Sequence, residues 1–311
     1  MNTSAPLDNS ADSQTAYTGL VDTLADGTVP AVLFNDGKAT ARITYQQQQR
    51  ITRLCIRCAL LLMQYGGESA VVVDLTKRLG VALGVDGVEC GLSFNAVTLT
   101  TLYQGRCITT VRNTVHQGIN VSILVNIQQV VLQAEQKKGA QLSILTSDEQ
   151  DKLIADTDAA LDNMGRFAYP NNVMSLFVGL SCACFAYLNG GDLPIAAVTL
   201  VAGFVAMRTK MYLSAHHFNP FVVVIITAFV ATVLGALTYF MQLGDNGDIA
   251  VASSILLLVP GFPIINALSD ILKGYINMGV GRWMFATMLT LSACVGIVIA
   301  LILLQIPHWG L

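Results

Sequence analysis

The sequence is short of charge. Lys, Arg, Asp and Glu make up 12% of its 311 residues, about half the share of roughly 25% carried by an ordinary soluble protein. The shortage is uneven. No charged side chain occurs between Arg166 and Asp192, between Pro220 and Gly244, or after Arg282. Before Arg166 charges are frequent, so this composition shift marks a domain boundary.

Other absences exclude function classes. There is no basic run and no basic patch interleaved with aromatics, and Lys plus Arg (17) fall below Asp plus Glu (20). Nucleic acid is therefore not an expected partner. Met1 to Ala16 is polar and acidic, without a basic segment leading into an apolar core. No secretory leader is expected, and the first domain is expected to stay inside. No Walker loop and no GxSxG is present, which removes the signatures of ATP-driven transport and serine hydrolysis. The seven Cys are an odd number, and the Cys55–Cys58 CxxC has no second Cys pair and no nearby His. Its bland reading is two buried thiols in a reducing compartment. Cys182, Cys184 and Cys294 sit in apolar segments as small hydrophobes. No metal or cofactor is expected.

What is present divides into three parts. Residues 1–46 are rich in Ser, Thr, Asp, Asn and Gly and read as a disordered extension, with a short strand possible in composition near Ala31–Phe34. Residues 47–166 read as a soluble α+β domain. Ile51, Leu54, Cys55, Cys58, Leu61 and Leu62 recur at helical spacing, and Gly66-Gly67 stops that helix. A second helix is expected from Ser69 to about Leu79. The period then changes. Val88–Leu102 and Arg106–Arg112 are rich in Val, Ile, Thr and Phe around Tyr103-Gln104-Gly105, which reads as a β-hairpin. A helix follows over Val121–Lys137. Ser147 with Gln150 resembles a capping box opening a last helix to about Leu161.

Residues 167–311 hold five apolar segments: Val173–Leu188, Leu193–Met207, Phe221–Met241, Ile249–Leu272 and Trp283–Ile306. A span needs about 20 apolar residues. The second is short, but Arg208 and Lys210 can snorkel to the headgroups. The fold class is thus a membrane all-α bundle of five transmembrane helices preceded by a soluble α+β cytoplasmic domain. The basic residues set the orientation. After Arg166 only Arg208, Lys210, Lys273 and Arg282 are basic, and all fall between segments two and three or four and five. The other two loops carry only acids. This predicts an inner-membrane protein with its amino terminus in, its carboxy terminus out, and His308 and Trp309 at the outer interface.

The fourth segment is broken. Pro260-Gly261-Phe262-Pro263 cannot continue a regular helix, because each Pro removes an N–H and clashes with the preceding turn. In hydrocarbon the freed carbonyls need partners, so such a break either packs as a kink or lines a cavity where half-helix ends bind ions or substrate. Asn266 and Asp270 are four apart, on one face of the second half-helix. Asp270 either carries the coupling ion or proton, or is neutralised by Lys273 three residues on. Ser175, Gly179 and Ala183, and Ala231 with Gly235, suit close helix packing. In the first domain Glu68 and Ser69 open a helix, which is ordinary capping chemistry. Arg53, Arg57, Arg78 and Arg112 form either an anion-binding surface or a solvated face.

The run Arg53-Leu54-Cys55 through Gly66-Gly67-Glu68-Ser69, the stretch Gly179-Leu180-Ser181-Cys182-Ala183-Cys184, and Leu257-Leu258-Val259-Pro260-Gly261-Phe262-Pro263 with Asn266, Asp270, Gly274 and Arg282 resemble the threonine/serine exporter (ThrE) family. The resemblance runs from about Arg50 to the end, and is nearest to the split, YjjP-like subunits. It implies a secondary exporter of small polar metabolites: threonine and serine, or dicarboxylates such as succinate. It further implies completion by a small YjjB-like five-helix membrane subunit. A homo-oligomer is compatible with this. The residues before Tyr45 depart from the family pattern. The rival reading is a membrane-anchored sensor or enzyme whose soluble domain carries the activity. An anchor, however, needs neither the Pro-Gly-Phe-Pro break nor the acid after it.

Overall fold

The computed structural model describes residues 43–114, 118–140, 147–164, 169–244 and 246–306. The expected extension up to residue 42, its strand near Ala31–Phe34, Arg166, and His308 with Trp309 lie outside the described residues. Ala41–Leu311 form one compact unit.

The amino-terminal part is built around α1 (Tyr45–Gln64). Residues 43–46, placed in the extension by composition, already belong to the fold. Ile43 is buried and its N–H donates to the Tyr103 hydroxyl. Thr44 caps α1 in a full capping box, accepting from the Gln47 N–H while the Gln47 side chain accepts from the Thr44 N–H. The helix ends where Gly66 takes φ +88°, a conformation that favours glycine. α2 follows (Ser69–Ala82).

The expected hairpin is a three-stranded antiparallel meander: β1 (Gly87–Ser93), β2 (Ala96–Tyr103) and β3 (Arg106–Asn113), in that order. The correction comes from Phe94-Asn95, which turns the chain where composition reads a single strand. Asn95 is the one turn-forming residue there, and it sits beside an aromatic in a run otherwise rich in strand formers. β2 is central, and its Val97, Leu99, Thr101 and Tyr103 alternate inward against α1. Buried Thr52 and Gln48 of α1 bond to Thr101, at 2.7 Å through the hydroxyls and 3.2 Å to the carbonyl. Two more helices, α3 (Val121–Ala140) and α4 (Ser147–Asn163), complete the core. Gln150 donates to the Leu83 carbonyl at 3.0 Å, so its amide makes a tertiary contact. Cys55 and Cys58 are both fully buried in this core, and burial pushes the Cys58 thiol up to about 12.

The carboxy-terminal part comprises α5 (Asn171–Leu188), α6 (Leu193–Ala215), α7 (Pro220–Gly235) continued by α8 (Leu237–Phe240), α9 (Gly247–Ile255), α10 (Gly261–Leu272) and α11 (Ile276–Leu304). Among the described residues four helices are long and apolar enough to cross a membrane, and five if α9 and α10 form one bent span. α6 runs eight residues past Met207 and carries Arg208 and Lys210 within it. α11 begins seven residues before Trp283 and carries Arg282 inside it. Small residues bring the helices together. A Cβ on Gly179 would lie 2.6 Å from the Leu200 carbonyl oxygen, and one on Gly235 3.0 Å from the Val251 Cα.

Candidate functional site

The break between α9 and α10 has a local cause. Leu256–Leu258 tighten into a 3-10 turn, and Val259 is extended (φ −68°, ψ 118°), as a residue before proline prefers. Pro263 falls in the first turn of α10, where a missing N–H removes nothing from the helix ladder. One proline ends a helix and the other is tolerated at the start of the next. The two axes differ by 52°.

α10 then meets the α1–α2 loop. The Asn266 amide donates to the Gly66 carbonyl at 2.8 Å, and the Ser269 hydroxyl to a Glu68 carboxylate oxygen at 2.6 Å. Lys273 also pairs with Glu68. Its hydrogen bond, followed by that of Ser269, holds the Glu68 carboxyl below the usual range against an opposing burial effect. Asp270 is fully buried. One of its oxygens accepts from the Ser69 N–H at 2.9 Å, at the start of α2, and the other from Arg282 at 2.8 Å. Arg282 also donates to the Gly67 carbonyl at 2.6 Å. Thus Lys273 does not neutralise Asp270; it goes to Glu68, and Arg282 takes its place. Gly279 makes this possible. A Cβ there would lie 2.7 Å from the Ala267 carbonyl oxygen, so α10 and α11 approach closely enough for Arg282, three residues on, to reach Asp270.

Beside this junction lies a cavity of about 740 Å³. Pro260, Gly261, Phe262, Pro263 and Asn266 line it from the break, Gln64 and Gly66 from the amino-terminal part, and Lys210 and His217 from the end of α6. Phe94, at the β1–β2 turn, closes over it against Phe285 of α11, ring centroids 5.5 Å apart. A Cβ on Gly281 would sit 2.8 Å from the Phe94 Cβ, so that contact depends on glycine. Asp270 is not on the cavity wall; its partner Arg282 is.

The structure therefore brings Glu68 and Ser69 together with Asn266 and Asp270. It keeps Arg53, Arg78 and Arg112 elsewhere. Arg78 makes a two-pronged bond to Glu135 of α3, at 2.7 and 2.6 Å. Arg57 pairs with Asp158 and Asp162 of α4. Arg53 borders a groove with Arg50, Arg57 and Asp151. Arg112 lies exposed on β3. Lys210, Arg282 and Phe94 were missed as site residues. Lys210 and Arg282 left a signal, each being a basic residue within or beside an apolar run. Phe94 left only an aromatic inside one strand-like stretch.

The sequence profile described as "Putative threonine/serine exporter", ThrE, matches residues 53–304. The chain belongs to the ThrE family. This ThrE-family chain is a multi-pass membrane transport protein, not an enzyme. It is 42% identical over 265 residues to the "Probable succinate transporter subunit YjjP" of Klebsiella aerogenes, covering 85% of this chain and 98% of that one. The protein of the same name from Escherichia coli K12 is 41% identical over 269 residues, with the same two coverages. A Haemophilus influenzae protein is 40% identical over 156 residues, half of this chain and 48% of that one. No solved structure matches the chain.

Proposed function

We propose that this chain is one subunit of a secondary-active exporter that moves a small dicarboxylate, succinate or a close analogue, out across the inner membrane. A second small membrane subunit, YjjB-like, completes it. The observation that carries this reading is the cavity at the Pro260–Pro263 break. A broken span that lines a cavity with the amino-terminal end of a half-helix is the arrangement in which secondary transporters hold anionic groups. The dicarboxylate comes from the names of the two relatives above 40% identity. Threonine and serine, named in the family description, are the alternative cargo.

In this reading residues 47–166 are the cytoplasmic domain and residues 167–311 the transmembrane domain, amino terminus in. The basic ends of α6 and α10 and the start of α11 face the amino-terminal part, which agrees with the positive-inside rule. Asn266 contributes to the pathway. Asp270 is a positioning residue that holds Arg282 to the cavity wall and ties α10 to α2. A coupling role for Asp270 requires that pair to open, because both its oxygens are occupied.

The test is efflux of labelled succinate, threonine and serine from cells lacking their own exporters. The chain is expressed with and without the second subunit, and with Asp270→Asn as control. Succinate efflux that needs both subunits and is lost in the variant is the expected result. Efflux of threonine without succinate would move the chain to the amino-acid branch. No efflux of any of the three, with both proteins in the membrane, would sink the exporter reading.

A further inference from the structure

The cavity wall is electrostatically one-sided. Among the described residues none that lines it is an acid. Among the described residues it carries two basic side chains, Lys210 and Arg282, but they differ. Arg282 is compensated by buried Asp270. Lys210 makes no ion pair among the described residues. It is half-buried, one turn before Ser214 on the same cavity-facing side of α6. Arg208, two residues earlier, is exposed and does not line the cavity. Helical geometry puts the two about 200° apart. Arg208 can therefore remain in water or headgroups while Lys210 is turned inward.

An ammonium held in a partly dehydrated cavity without a carboxylate is costly, and the cost is offset only when an anion arrives. A wall with net positive charge also raises the local concentration of anions and disfavours cations. We infer that Lys210 is the specificity-determining cation of the cavity, binding one carboxylate of a small dicarboxylate cargo. The second carboxylate lies toward the Gly261 end of α10 and Asn266, across the same cavity. This rests on the exporter reading and deepens it, because it assigns the choice of cargo to one side chain. A neutral amino acid carries one carboxylate and an ammonium group. Lys210 attracts the first and repels the second, so it favours the dianion.

The experiment uses the two-subunit complex in proteoliposomes and compares KM for succinate with KM for its monoamide, succinamate, which has one carboxylate fewer. Lys210→Gln raises the succinate KM by about tenfold or more, and the preference for succinate over succinamate falls toward one. Lys210→Arg keeps both close to wild type. Arg208→Gln, which removes the same charge from the other face, changes neither. If the glutamine variant fails to assemble, Lys210→Met is read in the same way. A Lys210→Gln complex with wild-type KM and wild-type preference overturns the assignment and leaves the exporter standing. A wild-type complex that carries threonine and not succinate overturns the dicarboxylate reading and this inference together.

Discussion

The two parts of the molecule bury opposite kinds of side chain. The amino-terminal part hides large aliphatics: Ile51, Leu62, Met63, Leu79, Leu99 and Ile127 are all essentially inaccessible. The helices after Asn171 hide mostly alanine, including Ala186, Ala202, Ala206, Ala228, Ala231 and Ala286, and turn Leu180, Val201, Ile265, Leu268 and Leu272 outward. The difference reports the solvent. In water, burying a large apolar side chain is the main gain. In a bilayer the surroundings are as apolar as leucine, so helices associate through close backbone approach and polar contacts. The junction at Asp270 and Arg282 joins the two regimes. It is polar and buried, and the Asp270 carboxylate and Arg282 guanidinium partner each other.

That contrast can be broken most sharply at the junction. Arg282→Gln leaves the Asp270 charge buried without its partner, at a cost of about 3–5 kcal/mol. The expected result is a large loss of thermal stability for the detergent-solubilised protein. Unchanged melting would mean the two parts do not depend on this link. Next in size is Leu62→Ala, expected to cost about 2–5 kcal/mol through transfer and cavity terms. The same change at outward-facing Leu268 should cost almost nothing, and equal losses at both positions would erase the distinction drawn above. Gly179→Ala tests the membrane regime. Its new methyl meets the Leu200 carbonyl, and overpacking of this kind costs about 1–3 kcal/mol. A neutral result would show that α5 and α6 can separate freely.

The smallest effect lies at Glu68, whose pair with Lys273 is half-exposed and contributes within about 1 kcal/mol. Its folded pKa is lowered, below an unfolded value of about 4.3. Its contribution is therefore present above the unfolded value and fades as pH falls through the folded one. Wild type should melt above Glu68→Gln at neutral pH, and the two curves should converge in acid. A gap that widens on acidification would reverse the sign of this assignment.

Much of the membrane half was legible because hydrocarbon imposes a simple rule. A span must be long and apolar, and the five segments read from composition coincide with α5, α6, α7–α8, the α9–α10 pair and α11 to within a few residues at most ends. The exceptions, the end of α6 and the start of α11, are where a charge sits inside a helix. A linear scan stops at Arg208 and at Arg282, since it cannot see a cavity or a buried carboxylate. The proline break was equally legible, being a property of covalent geometry. The sheet was half legible: the strands announced themselves by β-branched residues, but a single Asn95 beside Phe94 was too weak a signal to divide the run. For the site, Asn266 and Asp270 were visible as polar residues four apart in an apolar run. Glu68 and Ser69, some two hundred residues away, looked like ordinary capping.

The sequence by itself determined which segments are long and apolar, where the chain breaks between α9 and α10, and between which segments the basic residues fall. Each follows from forces that act within one segment: hydrophobic transfer, proline sterics and charge near the interface. Only the tertiary structure decided that Asp270 belongs to Arg282 and Ser69, that Lys273 belongs to Glu68, and that Lys210 stands in the cavity with no acid among the described residues. These are pairings between segments far apart in the chain. Their energies depend on a distance and a local dielectric that exist only once the helices have packed.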